Sequence, residues 1–256
     1  MHLSIIEVLF FAFASVLGII IGTTIGIYKR FTHKTISKTM AFAAGLLIAA
    51  ATIELAVDAA EKVNQFYFGI FSLMIGAIGF SFGNALLSNK GAKDRKRCGE
   101  CVAQPSEKDI PGSGLAITLG TGMDAVPEAI VLGLTLFTHG VNTPLILAIA
   151  LGNLPEAISG SVGMLAAGRA KKWVIKVWGG VTLGTILLTV LGFLFAGQLS
   201  ENMVSNLQLF GAGALIAMVS ETLIPEAFHG TPKYSGTIVT LGFALLLIIK
   251  ILTRDS

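Results

Sequence analysis

Apolar residues recur along this chain in long unbroken runs separated by short polar stretches. Eight runs come close to or exceed the roughly 20 residues that a helix needs to cross the hydrocarbon of a bilayer. They lie at about 4–27, 40–60, 66–87, 113–137, 144–167, 174–197, 207–228 and 235–252. The runs are continuous, so they read as helices; barrel strands would show alternating segments of about ten residues. The pattern predicts an all-α polytopic membrane protein with eight transmembrane helices. One membrane-embedded domain spans residues 1–256, with a basic loop at about 88–112. Ala12-Phe13-Ala14 imitates a signal-peptidase site. No Lys or Arg precedes the first run, however, and it continues to Ile27 before Tyr28-Lys29-Arg30, so we read it as a membrane helix with a basic stop.

Composition changes the picture by exclusion. Charged residues are 13% of the chain, hydrophobic residues 54%, and the mean hydropathy is +0.80. A soluble domain carries about 25% charge, so neither a soluble globular fold nor a disordered chain fits. The two cysteines, Cys98 and Cys101, stand three positions apart and cannot form a disulfide scaffold. Small residues recur within spans, as at Gly18, Gly22 and Gly26 and at Gly76, Gly79 and Gly83. Such spacing suits close helix packing in lipid.

The basic residues set an orientation. Of 18 Lys and Arg, 15 fall in the odd-numbered loops, including Lys90, Lys93, Arg95, Lys96 and Arg97 in loop three; only Lys62, Lys250 and Arg254 fall on the other side. The positive-inside bias predicts cytoplasmic odd loops and both termini outside a cell membrane.

The acids carry the candidate chemistry. Glu54, Asp58, Asp124, Glu128, Glu156, Glu221 and Glu226 lie inside predicted spans, and no Lys or Arg lies deep in any of them. Each isolated mid-membrane carboxylate costs at least a few kcal/mol. The group therefore points to protonation, water or bound cations, although Asp58 and Glu226 can be read as acids at helix ends. Asp124 and Glu128 share a helical face at a spacing of four, as do Glu54 and Asp58. Three of the acids follow proline, in Pro127-Glu128, Pro155-Glu156 and Pro225-Glu226. Each proline frees the carbonyl four residues earlier, that of Met123, Leu151 or Glu221, as a further oxygen ligand.

At these residues the chain resembles the ZIP family of divalent metal transporters. The stretches DAVPEA (Asp124 to Ala129) and GNLPEA (Gly152 to Ala157) stand where the family carries His-Asn-x-Pro-Glu-Gly and a similar motif. GLLIAAATIELAVDAAE and GAGALIAMVSETLIPEAF resemble its second and seventh helices. Both motif histidines are replaced, by Asp124 and Gly152, and helix six has no acid. The resemblance implies a secondary transporter of divalent metal (zinc, manganese or iron class), acting into the cytoplasm by alternating access. It also implies an inverted repeat of helices one to three and six to eight around a four–five pair, with helices two, four, five and seven lining the path. It implies metal ligands Asp124, Glu128, Asn153 and Glu156, with Glu54, Asp58 and Glu221 at entry or exit steps. With oxygen donors in place of imidazole, the set favours harder ions such as manganese, and Asp124→His should shift selectivity toward zinc.

The metal is cargo; no cofactor is expected. The expected partners are divalent metal ions and the lipid bilayer, not nucleic acid, and a homodimer is compatible with them. Enzymatic activity is not expected: no buried Ser-His pair or GxGD-like aspartate pair marks an intramembrane protease, and no phosphate loop marks an ATP-driven pump. A ZIP-like protein that has lost transport is the main alternative. Cys98-Gly-Glu-Cys101 is half of a zinc site or an incidental thiol pair. His2, His33, His139 and His229 read as surface histidines, Trp173 as an interfacial anchor and Trp178 as a packing residue.

Overall fold

The computed structural model describes residues 3–29, 31–96, 103–230 and 233–253. Eight helices among them are long and apolar enough to span a membrane: α1 (Ile5–Tyr28), α2 (His33–Ala60), α3 (Phe66–Ala92), α4 (Ser113–Thr138), α5 (Thr143–Ala166), α6 (Lys171–Ala196), α7 (Glu201–His229) and α8 (Ser235–Thr253). The protein is therefore a polytopic all-α membrane protein. The observed α2 and α7 begin about a turn or two before the apolar runs, because Thr32 and Ser200 cap them at polar positions that hydropathy ignores. At the start of α1, Ser4 and Glu7 cap each other reciprocally. Glu107 accepts hydrogen bonds from the Gly112 and Gly114 amides as α4 begins (2.8 and 2.6 Å), and these hold its carboxyl below the usual range.

Four helices are central and the rest peripheral. More than half of the most apolar window is buried in α2, α4, α5 and α7, but only 11% in α3 and α8 and 28% in α6. The peripheral helices present Phe68, Phe71, Phe82, Leu183, Leu187, Leu191, Ile248 and Ile251 outward, as a lipid-facing surface requires. The central helices share a core that includes Leu46, Leu47, Leu132, Ile149 and Leu215.

The packing pairs are α1 with α5, α4 with α6, α2 with α8, α3 with α7, and α1 with α6. This set maps onto itself when helices one to three are exchanged with six to eight and α4 with α5. Small residues make the tightest of these contacts. A Cβ on Gly18, Gly22 or Gly26 would strike the α5 carbonyls of Ala150, Leu154 and Ile158. Gly45 and Gly242 play that part between α2 and α8, and Gly76 and Gly213 between α3 and α7. Gly79, whose spacing suggests a packing face, instead meets open space, and Gly83 meets only the Met123 side chain.

Two of the central helices widen at matching places. Residues Ala50–Ala56 of α2 and Val219–Leu223 of α7 form turns of the wide, i→i+5 type, a form that recurs at functional sites. Glu54 sits in the first and Glu221 in the second.

Candidate cation site

Asp124 and Glu128 on α4, and Asn153 and Glu156 on α5, are all at least 95% buried near the middle of their helices. Neither helix is interrupted by its internal proline. The four do not converge on one point. The Asn153 amide donates to Glu128 Oε2 at 3.0 Å, while Asp124 and Glu156 face a pair of cations.

Those cations are Arg95 and Lys96, which the sequence places in the cytoplasmic loop. Their burial corrects the expectation that the carboxylates lack an internal basic partner. Arg95 grips Asp124 in a fork, Nε to Oδ2 at 2.8 Å and Nη2 to Oδ1 at 2.6 Å, the strong planar geometry that guanidinium offers a carboxylate. Lys96 Nζ lies 2.8 Å from Glu156 Oε2, 3.3 Å from Asp124 Oδ2 and 3.0 Å from Thr222 Oγ1, with Met218 Sδ at 3.7 Å. Glu156 Oε1 is buried without a hydrogen-bond partner.

The chain returns into the bundle because α3 kinks at Gly91, one residue before its end, where a φ of 100° is left-handed, a conformation glycine adopts without steric cost. The segment is then tied down along its backbone. Gln104 Nε2 donates to the Arg95 carbonyl at 2.8 Å, and the Ser159 hydroxyl donates to the Lys96 carbonyl. Hydropathy cannot find this, since the basic run looks the same whether it lies in water or folds inward. The available hint is three mid-span acids next to a loop with six bases.

The remaining acids divide between the two ends of the bundle. Glu54 Oε2 accepts from Asn142 Nδ2 at 2.8 Å and Lys250 Nζ at 2.9 Å, beside a cavity of about 340 Å³ lined also by His139 and Thr143. Glu54 is thus a further acid with a basic partner, contrary to expectation. Asp58, partly exposed, lies 4.0 Å from Lys250. His139 receives the Lys62 ammonium at 2.6 Å; burial and that charge lower its pKa. At the opposite end, Glu221 accepts from Asn84 Nδ2 at 2.7 Å and from Ser81. Asn84 Oδ1 in turn accepts from Arg95 Nη1 at 2.9 Å, which links Glu221 to the central pair. A cavity of about 210 Å³ opens here, lined by Lys93, Arg95, Lys96, Glu221, Thr222 and Glu226. Glu226 is not an interfacial acid: it is 2% exposed and lies 3.6 Å from His33 Nε2. His33 is likewise buried, with its ring edge-to-face with that of His229.

Among the described residues, no three His, Cys, Asp or Glu side chains stand together in metal-binding geometry. Cys98 and Cys101 lie outside the described residues. The chain matches no protein-family model and no curated protein.

Proposed function

We propose that this protein is a secondary carrier of divalent metal cations, ZIP-like in its motifs, that moves them into the cytoplasm through the acids of α4 and α5. The observation that carries the reading is that Asp124 and Glu156 hold two cationic head groups in the middle of an apolar bundle. A place that stabilises a guanidinium and an ammonium at that depth has the charge and oxygen donors for a hard cation. The acid-lined cavities at the two ends, one at Glu54 and one at Glu221, are suited to entry and exit. The self-matching helix pairing suits alternating access between them.

A second reading, a ZIP-like protein that does not transport, draws on the same ion pairs: a site filled by its own chain can be a finished structure. Uptake separates the two. Purified protein in liposomes, without ATP, should accumulate manganese, and zinc, iron and cadmium should compete for entry. Uptake equal to that of empty liposomes for every metal would favour the second reading.

A further inference from the structure

The central carboxylates are nearly charge-balanced by the chain itself. Asp124, Glu128 and Glu156 bring three negative charges when ionised; Arg95 and Lys96 bring two positive ones. The basic pair is therefore a dication tethered to the chain, and a divalent ion replacing it leaves the buried charge unchanged. Adding a divalent ion while both side chains stayed in place would crowd like charges in a low-dielectric interior, where unbalanced charge is strongly disfavoured.

The surroundings of the lysine head group resemble a coordination shell more than a structural ion pair. Lys96 Nζ is approached by two carboxylates from α4 and α5, the Thr222 hydroxyl from the widened turn of α7, and the Met218 thioether one turn earlier. Thr222 Oγ1 donates to the Met218 carbonyl at 2.7 Å, so its lone pairs face the ammonium. Glu156 keeps one buried oxygen without a hydrogen-bond partner, an acceptor that an ion with more ligands than an ammonium would use.

We propose that Arg95 and Lys96 form a tethered competitor for the cargo, that Lys96 Nζ marks the cation position, and that Thr222 and Met218 join Asp124 and Glu156 as its ligands. Cargo binding and release of the segment are then two halves of one exchange. The segment enters from the α3–α4 side and borders the cavity at Glu221, so its release also opens the path at that end. A thioether in the shell makes the site softer than its carboxylates alone, which admits cadmium beside manganese.

This inference rests on the metal reading above, and its test keeps the two apart. Manganese binding is measured by calorimetry on the purified full chain for wild type, Lys96→Met, Lys96→Gln and Lys96→Arg, each checked for a monodisperse fold. Removing the tethered charge should tighten binding by roughly tenfold or more, about 1.4 kcal/mol, while Lys96→Arg, which keeps the charge, should not tighten it. A second measurement leaves Lys96 in place. Ser159→Cys, in a Cys98→Ser/Cys101→Ser background whose manganese affinity is measured alongside, puts a thiol under the segment at a fully buried position. Saturating manganese should speed its alkylation several-fold. Binding that is unchanged or weaker in folded Lys96→Met and Lys96→Gln overturns the competitor and leaves the metal reading standing, as does alkylation indifferent to bound manganese. If no folded variant binds manganese, zinc or cadmium, the metal reading falls and the exchange falls with it.

Discussion

At the scale of single residues, Asp124 decides most. Its two oxygens hold the Arg95 fork and touch Lys96, and all three side chains are buried. Removing one partner of such a cluster strands charge in the interior, typically costing about 3–5 kcal/mol. We expect Asp124→Asn to lower the unfolding temperature of the detergent-solubilised protein sharply, and Asp124→Asn/Arg95→Gln to recover much of the loss. If the single and double variants melt alike, the ion pair is not what Asp124 stabilises. The same geometry revises the expectation for Asp124→His, because an imidazole would take the bidentate acceptor from Arg95 before it could tune a metal. The depth of Asp124, Glu128 and Glu156 is legible in the sequence, because carboxylates inside long apolar runs are costly and stand out. The roles of Arg95, Lys96, Thr222 and Met218 are not, because contacts across a loop leave no periodic trace in the chain.

At the scale of helices, hydropathy locates all eight elements; their contacts depend on which small residues face a neighbour. Gly76 and Gly79 both lie in α3 and look equivalent in the sequence. A methyl on Gly76 would enter the Phe210 backbone of α7, whereas one on Gly79 meets nothing within 4 Å. Gly76→Ala should therefore destabilise the fold by a few kcal/mol, as overpacked contacts do. Gly79→Ala should be neutral within about 0.5 kcal/mol. Thermal unfolding of the two variants in one detergent checks this, and equal shifts would contradict the α3–α7 contact. The widened turns at Glu54 and Glu221 are not legible in the sequence, since an extra residue in a helical turn leaves the hydrophobic run unbroken.

At the scale of the whole molecule, the pairing of α1–α3 with α6–α8 around α4 and α5 places two acid-lined cavities at opposite ends and the carboxylates between them. The charge bias of the loops predicts a cytoplasmic Glu221 end. A thiol at Asn142 should then be labelled by an impermeant reagent from outside, and one at Lys172 should not; the reverse labelling would invert the orientation. The central claim is that a divalent cation passes by way of Glu128 and Glu156. Its most direct test is manganese uptake into liposomes by wild type, Glu128→Ala and Glu156→Ala, reconstituted in equal amounts as folded protein. Wild type should accumulate manganese and both variants should lose most of that uptake; near-normal uptake by both would contradict the account.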